Sequence, residues 1–129
     1  MAEKAKHIEQ ERAEWALKTI RTLKETKDAN KKELLSHIRK LPSHIQSSGL
    51  AQTLLFYDGK QKRLATELAR HLDLLKGNQG NTADAVKELV KSAENVRRKT
   101  RDALSAAQWL KRFAEVELEA GDQKQQGAD

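Results

Sequence analysis

Apolar residues recur three and four positions apart along most of the chain, which is the spacing of an amphipathic helix. Such a stripe lets a helix bury one face while its charged face stays in water. Over residues 3–26 the stripe consists of Ile8, Trp15, Ala16, Ile20 and Leu23. Over residues 30–46 it consists of Leu34, Leu35, Ile38, Leu41 and Ile45. The pattern predicts a long first helix and a second helix after it.

The only proline, Pro42, lies inside the second apolar stripe. Because proline lacks a backbone N–H and crowds the preceding turn, we predict one helix that is kinked near Pro42. Ser48 can accept a hydrogen bond from an amide of the next helix and is predicted to be its N-cap. That third helix, over residues 49–57, is apolar almost all round, so we expect it to be the most buried segment. Residues 58–59 are predicted to end it.

The second half of the chain repeats this organisation. A fourth helix is predicted over residues 60–76 from Leu64, Leu68, Leu72 and Leu75. Residues 76–82 are rich in Gly and Asn and predict a loop. Asn81 or Thr82 is predicted to cap a shorter helix that ends near Ser92 and whose apolar residues are Val86, Leu89 and Val90. A last long helix, over 93–120, has one face made of Val96, Thr100, Ala103, Ala107, Leu110, Ala114 and Leu118.

These elements predict an all-α fold, a compact bundle of about five to six helices with a long first and a long last helix. The composition agrees, since one Pro, six Gly and few β-branched residues leave few breaks between helices. We expect residues 1–120 to form a single helical domain and residues 121–129 to form a flexible polar C-terminal tail.

The composition also limits the classes of function. The chain contains no cysteine, which excludes disulfides, Cys-based zinc sites, iron–sulfur clusters and thiol nucleophiles. The first residues are charged and lack the apolar segment of a signal peptide, and no apolar run is long enough to cross a bilayer. We therefore expect a cytoplasmic protein that does not contact a membrane.

Catalytic motifs are absent from the sequence, including those of nucleotide-binding loops, serine hydrolases and zinc proteases. His37 and His44 lie two helical turns apart, but Pro42 is between them, and a polar helix surface is a simpler interpretation than a metal site. We therefore predict that the chain is not an enzyme and binds neither a cofactor nor a metal.

The positive charge is unevenly distributed. The net charge is +6, and residues 97–112 hold six cations against one acid, whereas residues 113–129 are mainly acidic. Cations at successive helical turns can follow a phosphate backbone without reading bases. The candidate RNA-binding residues are Arg97, Arg98, Arg101, Lys111 and Arg112 on the last helix, and Lys60, Arg63 and Arg70 on the fourth. An ordinary solvated face is the alternative interpretation of both sets.

Two stretches resemble a known family. LPSHIQSSGLAQTLLFY, residues 41–57, is similar to the family's proline, spaced isoleucine and Gly-Leu followed by a small-residue apolar helix. VRRKTRDALSAAQWLKRFAEVELEA, residues 96–120, resembles its carboxy-terminal signature, in which the Trp-Leu-Lys-Arg-Phe run is the most specific part. The family is the small helical subunit of type III-B CRISPR (Cmr) effector complexes.

The resemblance implies an all-α subunit without an active site. In such complexes several small subunits stack into a filament beside the backbone subunits, which grip the guide RNA and cut the target. The implied partners are the backbone and large subunits, further copies of the chain, and the guide–target RNA duplex, while the isolated chain is expected to be monomeric. The expected protein-interface residues are Trp109, Phe113, His44 and Gln46.

Other functions stay open from the residues alone. Trp109 and Phe113 can pack in the core, stack on a base or contact another protein. A stand-alone helical protein-interaction module or adaptor, docking a partner helix through these two aromatics, is the main alternative. A DNA-binding regulator fits less well, because the long last helix is unlike a short recognition helix.

Overall fold

A computed structural model describes residues 2–26, 30–77 and 79–119. These residues form six α-helices and one π-helical turn: α1 (Ala2–Lys24), α2 (Lys31–Ser48), α3 (Leu50–Lys60), α4 (Lys62–His71), α5 (Thr82–Leu89), α6 (Ala93–Ala114) and the π segment (Glu115–Glu119). No residue within the described ranges lies in a β-strand. The all-α class and the long first and last helices are confirmed. The predicted tail, residues 121–129, lies outside the described residues.

The centre of the bundle is α6, which packs most extensively against α1 and α2. Its buried residues are small, apart from one leucine: Ala103, Ala106, Ala107, Leu110 and Ala114. Small side chains let the neighbouring helices approach closely. Helices α3, α4 and α5 complete the same hydrophobic core. One face of α6 is therefore fixed against the core, and the opposite face is left to solvent.

The turn between α2 and α3 differs from its prediction. Helix α2 runs through the buried Pro42, as expected, but the prediction that Ser48 caps α3 is wrong. Only Gly49 separates the two helices, so Ser48 stays helical and cannot adopt the extended conformation of a cap. Gly49 itself has φ +87° and donates its N–H to the carbonyl of Ile45 at 3.0 Å. This conformation is one that glycine adopts without steric cost.

The expectation that the third helix is the most buried segment is also wrong. One side of α3 packs on the core through Leu50, Thr53, Leu54 and Tyr57. The other side faces solvent, and Leu55 and Phe56 remain 50% and 47% exposed. An apolar sequence does not specify which side of a helix the core covers. Helix α3 also continues past residues 58–59 to Lys60.

The remaining predicted boundaries are partly confirmed. The fourth helix ends at His71 rather than at 76, and the leucines that follow it fill the core from a tight turn. Asn81 caps α5 and exchanges hydrogen bonds with Asp84, and Ser92 caps α6 as the predicted break implied. The last helix changes to a π-helical turn after Ala114, which keeps Leu118 in the core.

Within residues 2–26, 30–77 and 79–119, no helix is both long and apolar enough to cross a membrane.

Candidate nucleic-acid and protein interfaces

The outer face of α6 carries a row of exposed arginines. Residues advance by about 100° along an α-helix, so Arg97, Arg101 and Arg112 lie opposite the buried alanines. All three are exposed, and Arg98 is exposed beside them. Lys111 is half-buried on the flank of the same helix. The structure therefore brings four of the five predicted α6 cations together on one surface.

These arginines lack counter-ions among the described residues. No described carboxylate lies within ion-pair distance of Arg97, Arg98, Arg101 or Arg112. The Arg98 guanidinium donates to the side-chain oxygen of Asn95 at 3.2 Å, which leaves its charge uncompensated. In contrast, cations elsewhere in the bundle form ion pairs, namely Arg12, Arg21, Lys24, Arg39, Arg70 and Lys91. The α6 row is thus the part of the basic charge that is available to an external anion.

The second predicted set, on and before α4, is divided by the structure. Lys60 and Arg63 are exposed and line a cavity of about 310 Å³. Lys62, which the sequence analysis missed, lines the same cavity. Arg70 instead pairs with Glu67 at 3.0 Å, and its buried Nε atom has no hydrogen-bond partner. RNA contact by Lys60, Arg63 and Arg70 stays a prediction, and the geometry of Arg70 favours a structural role.

Trp109 and Phe113 form a stacked pair at the edge of the core. Their ring centroids are 5.8 Å apart with 22° between the planes, and both side chains are half-buried. The indole N–H of Trp109 donates to the carboxylate of Glu9 at 2.9 Å. That hydrogen bond is the largest reason why the pKa of Glu9 lies below its usual range. The pair belongs partly to the core, and a role in an interface stays a prediction.

A polar cluster fixes α1 against α6 beside this pair. The Arg12 side chain is only 12% exposed and donates to both Glu9 and Ser105 at 2.8 Å. Asp102 lies 3.6 Å from the same guanidinium. Ser105, which was expected on the outer face of α6, is therefore engaged by α1. Sequence reasoning missed the cluster because its two halves are more than 90 positions apart.

The turn between α2 and α3 holds the other predicted interface residues. Gln46 is exposed, whereas His44 is half-buried and lies edge-on to Phe56 with ring centroids 5.4 Å apart. The Tyr57 hydroxyl donates to the carbonyl of His37 at 2.8 Å and lies 3.1 Å from Nδ1 of His44. Burial raises the pKa of Tyr57 to about 12. His37 and His44 are thus joined through a buried phenol.

Comparison with known proteins decides the family. The family model described as CRISPR-associated protein (Cas_Cmr5) matches residues 8–117, which include both sequence stretches quoted above apart from the last three residues of the second. The chain belongs to the Cmr5 family. The resemblance found in the sequence is confirmed.

Two proteins of Thermus thermophilus illustrate the Cmr5 likeness. The curated protein "CRISPR system Cmr subunit Cmr5" is 31% identical over 111 residues, which are 81% of this chain and 93% of that protein. The crystal structure of a CRISPR-associated Cmr5 family protein superposes with a TM-score of 0.69 at 27% identity. It covers 84% of this chain and 95% of the solved chain. The Cmr5 fold therefore extends over most of the chain.

Proposed function

We propose that this chain is a non-catalytic small subunit of a type III-B CRISPR ribonucleoprotein in the cytoplasm. Copies of it stack beside the backbone subunits, also contact the large subunit, and help to line the channel of the guide–target RNA duplex. Membership of the Cmr5 family supports the assignment to such a complex, since a relative is described as a Cmr subunit. The observation that carries the RNA role is the row of arginines on α6 that lack counter-ions among the described residues.

The geometry of this row suits a phosphate backbone. At 1.5 Å per residue, the distance along α6 from Arg97 to Arg112 is about 22 Å. Guanidinium groups bind phosphates strongly and can do so with two parallel hydrogen bonds. Phosphate contacts position a protein on a duplex without reading sequence, which is what a subunit that accepts any guide needs. In this role the chain supports target binding and leaves cleavage to other subunits.

Charge reversal on α6 tests the proposal. In a complex reconstituted with guide RNA, we expect the variant R98E/R101E/R112E to assemble and to bind target RNA at least about tenfold more weakly than wild type. The matched control is K32E/K40E/K87E, which makes the same change in net charge at exposed lysines outside both predicted RNA-binding sets. The control should bind target RNA within about twofold of wild type, because those lysines contact no phosphate.

The possible failures are distinguishable. Equal target affinity of wild type and R98E/R101E/R112E would reject the RNA role of α6 but not membership of the complex. A wild-type chain that does not enter the reconstituted complex would reject the subunit role and favour a stand-alone interaction module.

A further inference from the structure

The turn between α2 and α3 and the outer side of α3 form a surface without charge. Residues 41–57 contain no Asp, Glu, Lys or Arg, although charged residues make up 34% of the chain. Within this stretch Leu55 and Phe56 are two adjacent large apolar side chains that remain about half exposed. We call His44, Ser48, Gln52, Leu55 and Phe56 the α3 patch. It differs in character from the arginine row on α6.

The α3 patch is held rigid by the core beneath it. The Phe56 ring meets His44 and Tyr57 edge-on, with centroid distances of 5.4 and 5.3 Å. His44 is in turn fixed by the buried Tyr57 hydroxyl at 3.1 Å. Beside the rings is a cavity of about 240 Å³, lined in part by Ser48 and Gln52. A prearranged aromatic beside a cavity loses little conformational entropy on binding, which is typical of the anchor residues of protein interfaces.

We propose that the α3 patch docks an uncharged, apolar surface of a different protein subunit. The cores of protein–protein interfaces are depleted of charged residues and enriched in aromatic ones, as this patch is. RNA is excluded as the occupant because the patch offers no cation to a phosphate backbone. Any charged surface is also excluded, since it would lose its hydration without gaining an ion pair.

A second copy of the chain does not match the patch. The other large apolar side chains that are exposed, Ile8, Val90 and Val116, have charged residues close by in sequence, so the described residues offer no second neutral apolar surface. Pairing the patch with itself is limited by area. Half of a leucine and half of a phenylalanine together expose roughly 200 Å². A stable dimer buries about 800 Å² on each partner.

The proposal rests on the proposed function, since the partner belongs to the same complex. A photoreactive benzoylphenylalanine at Gln52, or at Val90 as the control position, is incorporated into the full chain, and the reconstituted complex is irradiated. We expect the Gln52 position to cross-link to apolar residues of a different subunit, as identified by mass spectrometry. Cross-links to RNA or to another copy of this chain would overturn the proposal.

Substitutions provide an independent measurement. Gln52→Lys removes no apolar contact, and Leu55→Lys changes a half-exposed side chain, so both variants should fold with wild-type helicity. Each should be retained in the complex at least about tenfold less well than wild type, because a lysine ammonium would be buried without a partner. Val90→Lys, at a matched exposed position, should be retained within about twofold.

Equal retention of Gln52→Lys, Leu55→Lys and Val90→Lys would overturn the assignment of the patch and leave the proposed function intact. A wild-type chain that stays outside the complex would reject the proposed function and this partner together.

Discussion

Tyr57→Phe removes one hydroxyl group from the buried junction of α2 and α3 without creating a cavity. Tyr57 is 1% exposed, and its hydroxyl donates to the carbonyl of His37 at 2.8 Å. Pro42 has no N–H, so the carbonyl of Ile38 one turn earlier lacks its helical donor, and the Tyr57 hydroxyl binds the carbonyl next to it. The hydroxyl therefore links α3 to the turn that proline weakens.

The magnitude follows from what is left without a partner. A neutral hydrogen bond contributes about 0.5–1.5 kcal/mol, and a buried acceptor that loses its donor adds to the cost of the change. His44 is only half-buried and can turn to water, so its share is small. We expect Tyr57→Phe to lower the free energy of unfolding by about 1–2 kcal/mol. For a chain of this length the melting temperature should fall by about 3–6 °C.

Urea unfolding followed by circular dichroism measures this loss. The dependence of the unfolding free energy on urea should be unchanged, since the exposed area is the same. The control, Ser47→Ala, removes an exposed hydroxyl that donates to the carbonyl of Ser43 at 2.9 Å and should change stability by less than about 0.5 kcal/mol. Equal stability of Tyr57→Phe and wild type would refute the structural role of the hydroxyl.

Three further outcomes are expected. Leu89→Ala should lower the unfolding free energy by about 2–5 kcal/mol and its exposed neighbour Val90→Ala by less than about 0.5, both measured by urea unfolding. Gly49→Ala should cost about 1–3 kcal/mol in the same assay, because φ is +87°. The lowered pKa of Glu9 stabilises the fold above the range in which the unfolded carboxyl titrates, and this contribution is lost as pH falls through the folded pKa. Trp109→Phe should therefore be most destabilising near neutral pH, and melting curves should converge with wild type below about pH 4.

The sequence predicted the helices well because periodicity and composition act locally. An apolar stripe identifies the buried face of α6 down to single alanines, and the Gly- and Asn-rich loop leads directly to the Asn81 cap. The arginine row followed from the same helical periodicity, because residues opposite a buried stripe must face solvent. Pro42 did not end its helix, since the apolar stripe around it is long enough to hold both halves in the core.

What the sequence could not predict depends on contacts between distant segments. The cluster of Arg12, Glu9 and Ser105 exists only because α1 lies along α6. The half-exposed side of α3 depends on which neighbours cover it, and an almost uniformly apolar helix carries no directional signal. Arg70 looked like part of a basic face, but its ion pair with Glu67 lies across one turn of the helix and removes its charge from that face.

The salt dependence of target-RNA binding tests the role of the α6 arginines. Each phosphate contact that a cation makes contributes roughly 0.7–0.9 to the slope of log K against log salt concentration. R98E/R101E/R112E should therefore flatten the slope of the reconstituted complex by at least about 2, whereas K32E/K40E/K87E should give a line parallel to wild type. Parallel lines for all three complexes would contradict the assignment of the RNA-binding surface to α6.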